Sequence, residues 1–338
     1  MNRIVVITGA GAGVGRAAAT EFAKNGCDVA LLSRDADRLE AAAAQLRRFG
    51  VRTLPIPTDV ADAAAVFAAA ERVEAELGPI DVWVNVAMAT VFAPFHDITA
   101  EEFERGTAVT YLGQVHGAMA ALKHMRPRNR GSIVCVGSAL AYRPVPLQSV
   151  YCGAKFAIRG FLGSLRSELL HDGIEVTVTE VDLPAINTPQ FDWARNKTGR
   201  KAKPVAPIYQ PEVAARAIYS GAFQPRRQIW LGLPTAKAIV ANQIAPGLLD
   251  RYLAKAGYEG QLSDETSDPA APGNLFEPVA GAFGAHGRFD TAARESSWMV
   301  FDSRQRTIAW GAAALGLALG VATLLTASVR RGKPDRWQ

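Results

Sequence analysis

Cysteine is scarce in this chain. Cys27, Cys135 and Cys152 are its three thiols in 338 residues, too few and too scattered for a disulfide scaffold or a four-thiolate zinc site. The five histidines, His96, His116, His124, His171 and His286, lack close metal-ligand spacing and read as helix-surface or loop residues, so no metal site is expected. The N-terminus has a short strand-like run after Met1-Asn2-Arg3 but not the longer apolar core and cleavage site of a signal peptide. A cytoplasmic, reducing compartment is therefore expected for the domain that follows. Excess charge of one sign is also missing from most of the chain. There are 37 Lys+Arg and 32 Asp+Glu, a net charge of +5, and the whole excess comes from six basic residues and one acid beyond Asp302. The main body has no basic footprint, so nucleic acid is not expected as a partner. A hydrophobic content of 49% with 20% charged residues excludes wholesale disorder.

What is present is an alternation. Apolar runs at Ile4 to Ile7, Asp28 to Ser33, Val51 to Pro57 and Ile80 to Val86 are separated by helical patterns that stop at Gly26, Gly50 and Gly78-Pro79. Continuous apolar runs suit strands buried on both faces, and their alternation with helices predicts a parallel sheet. The pattern continues through a helix from Ala100 to about Met125, a strand Ser132 to Val136, a helix Ser149 to Leu170 and a strand Ile174 to Val181. After the irregular stretch Asp182 to Tyr209, Pro211 opens another helix and Arg227 to Leu231 reads as a last strand. The expected division is a catalytic domain over 1–232, a helical extension over 233–259, an irregular linker over 260–306, an apolar helix over 307–329 and a basic tail over 330–338.

Thr8-Gly9-Ala10-Gly11-Ala12-Gly13-Val14-Gly15 lies between the first strand and the first helix. In that setting the glycines permit a tight turn, close approach to a pyrophosphate and close helix–strand packing, while the helix N-terminus faces the phosphates. Ser33 and Arg34 end the second strand, where the adenosine ribose is expected. Arg34 can offer charge-assisted bonds to a 2′-phosphate, which favours NADP(H) over NAD(H). Asp35, one place later, reads as the start of the next helix.

Ser138, Tyr151 and Lys155 suit proton transfer to a carbonyl oxygen. Tyr151 and Lys155 share a helix face at i, i+4. The ordinary phenol pKa of about 10 is expected to fall beside an ammonium, and Ser138 can bond the same substrate oxygen.

On these motifs together, residues 1–232 resemble the short-chain dehydrogenase/reductase family. Asp59-Val60 and Asn85-x-Ala87 extend the match. The resemblance implies an α/β, doubly wound Rossmann fold with a parallel seven-stranded sheet and a nicotinamide cofactor. It places Asp59 and Val60 by the adenine, Asn85 under the fourth strand, Lys155 also on the nicotinamide ribose, and Ile186 and Thr188 near the nicotinamide amide. It also implies a homo-oligomer through the long helices. Three departures stand out. Val86 and Met88 replace an Asn and a Gly, Leu183-Pro184 replaces Pro-Gly, and Thr110 stands where the family commonly has a catalytic Asn. A hydroxyl at Thr110 could still bind a relay water, but it lacks the amide's paired donor and acceptor, so the candidate catalytic role of Thr110 stays open. Phe191, Trp193 and Tyr209 either wall an apolar substrate pocket or fold their loop on itself.

The reading that follows is a membrane-anchored, NADP(H)-dependent carbonyl reductase or alcohol dehydrogenase with a small lipophilic substrate. The alternative is a non-catalytic cofactor-binding scaffold or regulator. The anchor rests on Ile308 to Val329, which carries no charge and has basic residues on both sides. As a helix it would extend roughly 33 Å, enough to cross a hydrocarbon core of about 30 Å; the competing reading is a buried soluble helix. A single pass with a cytoplasmic catalytic domain is expected, touching membrane lipid, with the linker giving the enzyme reach over the bilayer.

Overall fold

The structure is a computed structural model and describes residues 2–297, 300–303, 305 and 307. The apolar runs become strands β1 (Ile4–Thr8), β2 (Asp28–Ser33), β3 (Thr53–Pro57), β4 (Ile80–Asn85), β5 (Ser132–Ser138), β6 (Thr177–Leu183) and β7 (Gln228–Leu231). These seven are parallel, as expected. An eighth, β8 (Val300–Asp302), pairs antiparallel with β7 at the sheet edge. The spatial order is β8-β7-β6-β5-β4-β1-β2-β3. The order reverses between β1 and β4, and a crevice opens there at the carboxyl ends of the strands.

Helices cover both faces. Side chains alternate along a strand, so Val5, Ile7, Val29 and Leu31 enter one core with α1 (Gly13–Lys24), α2 (Ala36–Arg47) and, later in the chain, the helix Pro211–Phe223. Ile4, Val6, Ala30 and Leu32 enter the other. That second core is closed by α3 (Ala63–Glu76), α4 (Ala100–Thr107), α5 (Gly113–Met125) and α6 (Ser149–His171). Helix starts follow local chemistry. Asp35 and Asp62 cap α2 and α3, and Thr99 with Glu102 forms a capping box on α4. The expected Ala100 to Met125 helix is interrupted by a π-helical turn, Ala108–Leu112.

The segment expected as an irregular linker is docked on the domain. Leu262–Thr266 pairs antiparallel with Arg200–Ala202, and Ala293–Arg294 pairs with Ile208–Tyr209. Leu275 is fully buried in the second core. The composition is loop-like because most of this stretch has no regular structure, but its contacts are tertiary and leave no period in the sequence. Residues 260–297 therefore do not supply free reach. The apolar run 308–329 lies outside the described residues. Among the described residues no helix is long and apolar enough to cross a membrane.

Candidate active site

The loop after β1 is built for close approach. Gly9 has φ +71°, and a Cβ there would stand 2.9 Å from Ala87 Cα. A Cβ at Gly15 would strike the Gly9 carbonyl, so α1 sits against the strand end only with glycine at that position. Thr8 Oγ1 accepts from the Val86 and Ala87 amides at 3.0 and 3.2 Å, tying together the two sides of the switch point. No side chain caps α1 at Ala12, which suits that helix end to an anion. The Gly13 N–H, however, donates to Gly284 O at 3.0 Å.

A cavity of about 530 Å³ follows the crevice. Gly9, Gly13, Val14, Gly15, Ser33, Arg34, Asp59, Val60, Ser138, Tyr151, Lys155, Ile186 and Thr188 all line it. Thr8, Asn85 and Thr110 stand behind its wall. Asn85 is buried, accepts from Trp83 Nε1 at 3.0 Å and donates to Gln114 O at 3.3 Å, holding β4 against α5. The close-packed loop, the uncapped helix end and the continuous cavity fit a dinucleotide.

At the other end of the cavity, Ser138 closes β5, and its Oγ accepts from the Leu140 amide at 3.1 Å. Tyr151 and Lys155 occupy the first turns of α6, with Nζ 5.4 Å from the Tyr151 ring centre. Lys155 is 1% exposed and donates to Val136 O at 2.6 Å. Burial lowers its pKa to about 8. The sequence reading has the phenol pKa falling. The structure reverses that direction, because burial outweighs the hydrogen bond Tyr151 shares with Ser138 and pushes the phenol above its ordinary value. A phenol that keeps its proton at neutral pH is a proton donor.

These observations set the comparison with known proteins. The family model for short chain dehydrogenase matches residues 3–198. The chain belongs to the short-chain dehydrogenase family. It is 30% identical over 282 residues to the uncharacterized oxidoreductase YxnA of Bacillus subtilis, covering 83% of this chain and 79% of that one. The alcohol dehydrogenase of the archaeon Thermococcus sibiricus, solved with 5-hydroxy-NADP, superposes with a TM-score of 0.58 at 25% identity, over 68% of this chain and 96% of that one. A metagenomic short-chain oxidoreductase solved with NADP gives 0.55 at 25% identity, over 64% and 89%. The protein is an oxidoreductase of this family with a Rossmann-type nicotinamide dinucleotide site.

Several assignments change. Thr110 Oγ1 donates to Ala89 O at 2.8 Å and accepts from Ala89 N at 2.9 Å. It is fully buried. A hydroxyl has one proton, and this one is committed to the loop after β4, so Thr110 positions that loop and does not donate to a relay water. Thr110→Val would strand a buried N–H and a buried C=O, each costing about 1–3 kcal/mol. Urea unfolding should show a loss of roughly 2–6 kcal/mol, whereas Thr110→Ser should stay near wild type.

Arg34 lines the cavity but is also held by backbone carbonyls of residues 274–276. Asp35 is a helix cap, accepting from the Arg38 amide at 2.9 Å. Asp59 pairs with Arg105 at 2.6 Å; burial alone would raise its pKa, but that hydrogen bond and charge hold it below the usual carboxylate range. Phe191 and Trp193 wall the cavity, while Tyr209 is buried in the core and folds its loop. Asn274 and Pro278 also line the cavity. Sequence reasoning missed both, and the sole signal for them was the apolar pair Leu275-Phe276 within the loop-like stretch.

Proposed function

We propose that the protein is an NADP(H)-dependent carbonyl reductase, or alcohol dehydrogenase in reverse, for a small lipophilic substrate. The observation that carries this reading is one cavity running from Arg34 to the Ser138–Tyr151–Lys155 group. The cofactor, when bound, supplies or accepts the hydride. The glycine loop holds its phosphates. Lys155 reaches the ribose and keeps positive charge beside Tyr151. Ser138 orients the substrate oxygen, and Tyr151 gives it a proton. In the oxidative direction the same phenol takes the proton back. Leu140, Val145, Val205 and Leu253 near the catalytic end support an apolar substrate. Arg34 supports NADP(H): after three bonds to residues 274–276 its five N–H donors leave two for a 2′-phosphate.

The test is the loss of NADPH absorbance with a panel of ketones and aldehydes, repeated with NADH. Turnover with NADPH favoured is the expected result. No turnover with any carbonyl, or NADH favoured, overturns the respective part of the reading.

The proposal extends to a membrane anchor at 308–329 with the catalytic domain cytoplasmic, supported by the uncharged run itself. The full-length protein should stay with membranes through a carbonate wash, and recovery in the wash without detergent overturns the anchor. A homo-oligomer through the long helices is also proposed, supported by exposed Met119 on α5 and Phe156 on α6.

A further inference from the structure

Residues 274–284 run along the outside of the cleft at its Arg34 end. The segment has no helix or strand of its own, yet its carbonyl oxygens are held by donors from four parts of the domain. Arg34 Nη1 donates to Leu275 O and Phe276 O, and its Nη2 to Asn274 O. Arg105 Nε donates to Leu275 O at 3.1 Å while its Nη2 holds Asp59. Arg38 Nη2 donates to Val279 O at 2.7 Å, and Arg16 Nη1 to Phe283 O at 3.3 Å. The Gly13 amide closes the far end on Gly284 O. The Arg38 guanidinium lies over both Trp193 and Phe283, whose rings meet edge-on at 4.6 Å. Leu275 pins the near end in the core.

The segment does not fill the crevice. The cavity is continuous beneath it, with Asn274 and Pro278 as part of the wall. The Arg34, Arg38 and Arg105 guanidinium groups therefore hold this segment on the side of the cleft where the adenosine half of a dinucleotide would lie.

We propose that residues 274–284 form a latch over the adenosine half of the cofactor cleft. This rests on the dinucleotide reading above. The latch lies outside residues 1–232 and makes the segment after the catalytic domain part of the cofactor site. Release of cofactor then requires residues 274–284 to lift from their arginines.

The test uses the full-length protein, with fluorescence titration and stopped-flow release of NADPH and of reduced nicotinamide mononucleotide, which lacks the adenosine. Leu275→Ala, which frees the near end, and Phe283→Ala, which removes the far-end ring from Trp193 and Arg38, should each speed NADPH release about tenfold. Neither variant should change binding of the mononucleotide, which separates loss of the latch from loss of the fold. Unchanged NADPH release in both variants, or equal weakening of the mononucleotide, overturns the latch. If wild type binds no dinucleotide, the cofactor reading falls and the latch with it; binding without the expected differences removes the latch alone.

Discussion

Tyr151→Phe should leave NADPH binding unchanged and lower turnover by about 10²–10⁴-fold, the usual contribution of a positioned proton donor. The substitution removes one oxygen and keeps the ring, so Lys155 still faces an aromatic surface 5.4 Å from its centre. Ser138 loses its bond to the phenol but keeps the Leu140 amide as donor, so β5 should end where it does now. The fall should appear in kcat more than in KM, because the proton is needed in the transition state and little in the ground state. Burial raises the phenol pKa, so wild-type reduction should show no loss of the Tyr151 proton through the neutral range. Wild-type turnover in the variant would remove Tyr151 from the chemistry.

The parts legible in the sequence were those with local causes. β1 and β2 are uninterrupted apolar runs because both faces are covered, and Gly9 and Gly15 announce a turn that no other residue fits. Tyr151 and Lys155 meet because one helical turn separates them. The parts that were not legible depend on partners distant in the chain. Thr110 reads as a free hydroxyl until Ala89 is seen to take both its bonds. Arg34 reads as a phosphate ligand with all its donors free until residues 274–276 are seen to take three of them. The 260–297 stretch reads as a linker because carbonyl-to-arginine contacts and isolated side chains such as Leu275 and Phe283 dock it without leaving a period in the sequence. The phenol pKa has a related cause: the i, i+4 spacing shows the ammonium, but it does not show the burial that raises the phenol.

Lys155→Met should abolish most turnover and, at neutral pH, make the folded protein more stable. Burial lowers the lysine from its ordinary 10.5 to about 8, so the charged form is carried in the folded state at a cost of roughly 3 kcal/mol at pH 7. Methionine has a similar length and no charge to bury. The carbonyl it abandons is not stranded, because Val136 O also accepts from Gln114 Nε2 at 3.1 Å. The sign of the pH dependence follows from proton counting. Between about pH 8 and 10.5 the unfolded chain holds the lysine proton and the folded one does not, so this residue makes wild type more stable as pH rises. The advantage of the methionine variant should therefore be full below pH 8 and shrink through that window. Paired urea unfolding curves at pH 7 and pH 10 measure it. A methionine variant less stable than wild type at pH 7, or a gap that widens with pH, would show that the ammonium is stabilised in place, and that the site holds its charge by attraction instead of tolerating it for catalysis.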